Sequence, residues 1–169
     1  MKKVVTFMAL CAFAVACNKT TTTPPTTTPT PTGCGDGYIC FKLNGTEISK
    51  AGAGYELSDT FLFVKYEEGA KQLSIDIFGK NTGNYNVTHK RKQGNARIYY
   101  YPTTSTSDTS YMAETGTLNI SAYDAANKKI SGTFSATVYK YKGDTEAFLK
   151  TDSFVITEGK FTNIAVPKI

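Results

Sequence analysis

The chain has no tryptophan, a single histidine (His89), three methionines and four cysteines in 169 residues. One imidazole weakens any multi-histidine metal site or Ser–His–Asp triad. No apolar run reaches the roughly 20 residues that a helix needs to span a bilayer. No long stretch carries an apolar period of 3.6, and no Gly-rich loop opens a helix, so a phosphate cradle has no support. Charge of one sign is hardly in excess: the net charge is +5, too little for counterion release to drive nucleic-acid binding over the whole surface.

What is present begins with a processing signal. Lys2 and Lys3 precede an apolar run, Val4 to Ala16, that ends in small side chains. Its 13 residues suit the h-region of a signal peptide, residues 1–16, and not an anchor. The bond after Ala16 fits two patterns: Ala14-Val15-Ala16 is an A-x-A cleavage site, and with Cys17 added it resembles a bacterial lipobox, in which Ala14 stands where Leu is more usual. Cys17 is therefore the expected lipid-attachment site. Loss of Lys2 and Lys3 with the signal takes the charge from +5 to +3.

Residues 17–33 are anchor and stalk. Thr20 to Thr32 holds nine Thr and four Pro, with nothing apolar to bury, and favours extended polyproline II. Fully extended, it would hold a domain about 40 Å from the lipid. With Cys11 removed and Cys17 acylated, Cys34 and Cys40 remain as an even pair. Two alternatives stand: a disulfide, which an oxidising compartment permits, or two reduced thiols.

From Cys34 to Ile169 the period is that of strands. Leu73, Ile75 and Ile77 alternate with Ser74, Asp76 and Phe78; Leu118, Ile120 and Ala122 with Asn119, Ser121 and Tyr123; and Ile130, Gly132, Phe134, Ala136 and Val138 with Ser131, Thr133, Ser135 and Thr137. Turn signals separate the runs, Asn44-Gly45 and Asp124 to Lys129 among them, and Pro102 to Ser110 is a polar loop. The pattern predicts one all-β domain of about nine or ten short strands, an antiparallel sandwich or else a flattened up-and-down barrel. Gly132, inside a strand, predicts a bend or a position beneath an aromatic ring, and Gly159 a tight hairpin joining Ser153–Ile156 to Lys160–Val166.

The order Phe41-Lys42-Leu43-Asn44-Gly45, Gly83-Asn84-Tyr85, Gly116-Thr117-Leu118-Asn119-Ile120, Ile130-Ser131-Gly132-Thr133-Phe134 and Ile156-Thr157-Glu158-Gly159-Lys160-Phe161 resembles a family of small Bacteroidetes-type lipoproteins of unknown function. The resemblance covers roughly Ile39 to Val166. It implies an all-β domain and a lipid anchor, and carries no catalytic residues with it.

The candidate ligand-binding residues lie at one corner. Lys90, Arg91 and Lys92 precede Arg97 and the run Tyr99-Tyr100-Tyr101, and alternation points Tyr99 and Tyr101 away from Ile98 and Tyr100. Cations beside ring faces suit an anionic glycan, a lipopolysaccharide headgroup or a single-stranded nucleic acid; export removes the last as a partner. The bland alternative is a solvated hairpin tip. Four acids, Asp76, Glu114, Asp124 and Glu158, lie in or beside strands, with Asp76 expected as a solvated carboxylate and His89 as a solvated turn residue. No spacing forces any two carboxylates together.

The sequence therefore points to a lipid-anchored envelope β-domain, a non-enzymatic module that binds or scaffolds a glycan, small molecule or protein. A structural or assembly accessory of an envelope complex is the alternative, and a hydrolase with paired carboxylates the third. Neither cofactor nor metal is called for. Asn18 after Cys17, where inner-membrane retention favours Asp, points to the outer membrane, and the lack of acids in Asn18-Lys19-Thr20 to its periplasmic face.

Overall fold

The computed structural model describes residues 34–103, 110–143 and 145–169. The signal, Cys17, the stalk and most of the loop Pro102–Ser110 lie outside the described residues. Those described form ten strands and no helix: β1 (Tyr38–Leu43), β2 (Thr46–Ala51), β3 (Ala53–Ser58), β4 (Phe61–Glu68), β5 (Lys71–Ile77), β6 (Gly83–Val87), β7 (Asn95–Tyr101), β8 (Tyr111–Asp124), β9 (Lys129–Lys142) and β10 (Ala147–Ala165).

They make one sheet in the order β2-β1-β10-β9-β8-β6-β7-β5-β4-β3. The expected antiparallel pairing holds except at one place. β6 runs parallel to β7 over Asn86↔Asn95 and Val87↔Ala96, wedged in where β7 and β8, paired only at Tyr99↔Met112 and Tyr100↔Tyr111, diverge. The sheet is mixed and does not close, so the barrel alternative does not hold: β2 and β3 are its two edges.

A sheet this wide must roll to bury one face. Ring contacts show how. Phe41 of β1 lies 5.6 Å from Tyr66 of β4, and Phe154 of β10 lies 4.9 Å from Tyr100 of β7, edge-on. These strands are far apart in the sheet order, so the two halves face each other as layers of a sandwich. Gly52 makes the corner between β2 and β3, where a Cβ would come within 2.5 Å of Ile164 and 2.8 Å of Ile39. Leu73, Ile75, Ile77, Ile98, Leu118, Ile120 and Val138 are buried between the layers, as alternation predicts.

Bulges account for the departures. Register shifts between Ile120 and Ala122, and an extra residue in one strand turns every later side chain over. Ala122 is consequently exposed, and Tyr123 packs against the core in its place. The hairpin expected at Gly159 is absent. β10 runs unbroken through it, with Glu158 at a φ of 53° and a register shift between Ile156 and Gly159. Gly159 lies against Phe134, whose carbonyl oxygen would be 2.5 Å from an added Cβ. Gly132 does lie beneath a ring: an added Cβ would come within 2.6 Å of Phe161. The Asn44-Gly45 turn has φ values of 49° and 82°, as a two-residue type I′ hairpin requires.

Edge strand β3 is covered by the C-terminal tail. The Glu56 amide donates to the Pro167 carbonyl at 2.8 Å, and its carbonyl accepts from the Ile169 amide at 3.2 Å. The Glu56 side chain, 2% exposed, accepts from Lys80 Nζ at 2.8 Å and the Tyr123 hydroxyl at 3.1 Å, with Lys128 Nζ at 3.5 Å. The Lys80 ammonium beside Glu56 holds its carboxyl at about 2, well below the usual carboxylate range. One buried carboxylate thus ties β3, the β5–β6 connection, β8 and the β8–β9 turn together.

Candidate functional site

Alternation along β7 sends Ala96, Ile98 and Tyr100 into the core and Arg97, Tyr99 and Tyr101 to the outer side of the sheet. The β5–β7 register sets Asp76 directly opposite Arg97. Arg97 Nε donates to Asp76 Oδ2 at 3.2 Å, and Nη2 donates to the same oxygen. The expectation of a solvated Asp76 is therefore corrected: its side chain is 13% exposed and that of Arg97 10%. Parity could place Asp76 on the outer side, but only the non-local β5–β7 register brings it a cation.

A paired guanidinium keeps both faces free for rings. Arg97 Cζ lies 5.1 Å from the centre of the Tyr99 ring and 5.4 Å from that of Phe78. Phe61 stacks on Phe78 at 4.9 Å, and Tyr101 is nearly parallel to Tyr99, 14° between planes with centroids 6.2 Å apart. The result is a ladder of four rings and one guanidinium running from Phe61 in β4 through Phe78, just after β5, to Arg97, Tyr99 and Tyr101 in β7. Burial pushes the Tyr99 hydroxyl well above the usual phenol range, opposed by the Arg97 and Arg91 charges.

The connection 88–94 lies against this side of the sheet. Its ends are fixed by the Thr88 amide on the Ala96 carbonyl at 2.9 Å and the Gly94 amide on the Phe78 carbonyl at 2.8 Å. In between, His89 meets Phe148 of β10 with ring centroids 6.0 Å apart. His89 is thus half-buried against a ring, not the solvated turn residue expected from sequence. Lys90, Arg91 and Lys92 are exposed.

The face continues onto β8 and β9 through the cross-strand row Tyr99↔Met112 and Met112↔Tyr139. Lys150 Nζ sits 4.3 Å from the centre of the Tyr139 ring and forms an ion pair with Glu114. Phe61, Phe148 and Lys150 were not among the residues singled out from sequence; Glu114 was named only as a strand acid and Phe78 only as an alternating neighbour of Ile77. Parity with Leu62 and Val64 would have placed Phe61 on this side; no local signal marks Phe148 or Lys150.

The other carboxylates are engaged too. Asp124 accepts from the Ala126 and Asn127 amides at 3.0 and 2.9 Å, and Glu158 pairs with Lys42 at 2.7 Å. Cys34 and Cys40 are joined in a disulfide with Cα atoms 5.6 Å apart. Among the described residues, no group of three His, Cys, Asp or Glu side chains could hold a metal ion.

A shallow depression of about 270 Å3 lies on β8, β9 and β10, lined by Thr115, Ser135, Thr137, Val155 and Thr157. It carries hydroxyls and no charge. Comparison with protein families, curated proteins and solved structures finds no match, so the site rests on its own geometry.

Proposed function

We propose that this chain is a non-catalytic binding module of the cell envelope, lipid-anchored through Cys17, that uses the outer side of β7 to hold a glycan. The observation that carries the proposal is the nearly parallel Tyr99–Tyr101 pair with Arg97 fixed between Tyr99 and Phe78. Rings offer apolar area and polar tips at little entropic cost, and the Asp76 pair holds Arg97 in place before any ligand arrives, so little ordering remains to be done on binding. The Cys34–Cys40 disulfide agrees with an oxidising compartment. The lipobox-like Ala14-Val15-Ala16-Cys17 and the resemblance to Bacteroidetes-type lipoproteins support the anchor, and Asn18-Lys19-Thr20 supports the periplasmic face of the outer membrane.

The test is a glycan array probed with the chain from Cys17→Ser onward, made without signal or lipid. Binding that falls at least about tenfold in Tyr99→Ala plus Tyr101→Ala supports the face; binding unaffected by that pair removes it. Labelling with a palmitate analogue that persists undiminished in Cys17→Ser removes the anchor.

A further inference from the structure

Positive charge on the proposed glycan face is densest in the connection 88–94, whose main chain is held in place. Two acids of the face are neutralised by two of its cations: Asp76 pairs with Arg97, and Glu114 with Lys150. Elsewhere Lys42, Lys50, Lys65, Lys80, Lys128 and Lys168 also have carboxylate partners. Lys90, Arg91 and Lys92 are exposed and, like Lys71, Lys129, Lys140, Lys142 and Lys160 on the strands and their ends, have no carboxylate partner among the described residues; they are the three that are consecutive in the chain.

Three adjacent lysines or arginines on a mobile tip would mean little beyond solubility. This connection is pinned at several points. The Asn95 amide donates to the Lys92 carbonyl at 2.9 Å, Asn95 Nδ2 donates to the Lys90 carbonyl at 3.3 Å, and His89 packs on Phe148. Within the connection these contacts use only main-chain atoms and His89, and among the described residues none engages the three cationic side chains. Arg91 lies near enough to Tyr99 for its charge to act on the phenol. A pinned main chain thus presents three cations beside rings that already bracket a guanidinium, which is complementary to an anion borne on a sugar.

Resting on the reading of this face as a glycan site, we infer that its ligand is an acidic polysaccharide, with uronate, sulfate or phosphate groups received by Lys90, Arg91 and Lys92 while the sugar rings lie on Tyr99 and Tyr101.

The experiment is an array of matched pairs: polygalacturonate and alginate against their methyl esters, heparan sulfate against its desulfated form, and polyglutamate as a polyanion without sugar. The probe is the chain from Cys17→Ser onward, compared with Lys90→Ser, Arg91→Ser and Lys92→Ser combined, whose amide spectrum is checked for an intact fold. Expected is about tenfold tighter binding of at least one acidic member than of its neutral partner, an advantage lost in the triple variant and shrinking with salt. Equal binding within every pair overturns the inference and leaves the glycan reading standing. Polyglutamate binding as tight as that of the best polysaccharide also overturns it, as does an acidic preference that survives the triple variant. Absence of binding to every member, neutral or acidic, overturns both.

Discussion

Asp76 and Arg97 face each other across the β5–β7 ladder, both nearly buried on the side of the sheet that alternation assigns to solvent. Removing the carboxylate alone strands a poorly hydrated guanidinium between Phe78 and Tyr99. Asp76→Ala is expected to cost about 3 kcal/mol in urea unfolding, and Asp76→Asn combined with Arg97→Gln distinctly less. A single variant within about 0.5 kcal/mol of the parent would show the pair to be hydrated after all.

Glu56 gives the fold an acid limit. Its carboxyl is held at about 2 against an ordinary 4.5, so the folded state binds this proton less readily than the unfolded chain. The stability it contributes is fully present above about pH 4.5 and is lost as pH falls from there toward 2. Thermal melting between pH 5 and 2 should fall more steeply for the parent than for Glu56→Gln, which starts lower at neutral pH. Parallel curves would contradict the assignment.

Tyr66 lies in the core, 1% exposed, and among the described residues its hydroxyl has no hydrogen-bond partner. Burial pushes it up to about 12. Tyr66→Phe removes the unpaired group and leaves the ring against Phe41, so a gain of about 1 kcal/mol in unfolding free energy is expected. A loss of similar size would mean that the hydroxyl is satisfied.

Gly132 and Gly159 test the strand crossings. An added Cβ at Gly132 would lie 2.5 Å from the Asn119 carbonyl, and one at Gly159 2.5 Å from that of Phe134. Backbone oxygens in a ladder yield little, so Gly132→Ala and Gly159→Ala should each destabilise by about 1 to 3 kcal/mol. Gly45→Ala probes a different cause, since its surroundings are open and only the φ of 82° opposes a side chain. Equal urea midpoints for the parent and both strand variants would contradict the close approach.

Strands β5, β7 and β9 were legible because each is half-buried and keeps strict period 2 across Leu73–Ile77, Ala96–Tyr100 and Ile130–Val138. The Asn44-Gly45 hairpin was legible because few other dipeptides accept two positive φ values in succession. The bulges were not: a single inserted residue at Ile120/Ala122 or Ile156/Gly159 leaves composition unchanged while reversing which side chains face inward. That is why Gly159 read as a turn and Ala122 as core. At the site, Arg97, Tyr99 and Tyr101 could be assigned to one face from β7 alone. Phe78 shares the parity of Asp76, but Phe148 and Lys150 could not be assigned, because they reach the face through sheet register and the packing of connection 88–94, which sequence distance conceals.

The measurement that bears most directly on the outer face of β7 is an amide NMR titration of the Cys17→Ser chain with whichever oligosaccharide binds best on the array. Shifts clustered at Arg97–Tyr101 and in the connection 88–94, absent in Tyr99→Ala plus Tyr101→Ala, are the predicted result. Shifts confined to the hydroxyl-lined depression of Thr115, Ser135 and Thr157 would place the ligand elsewhere and contradict it.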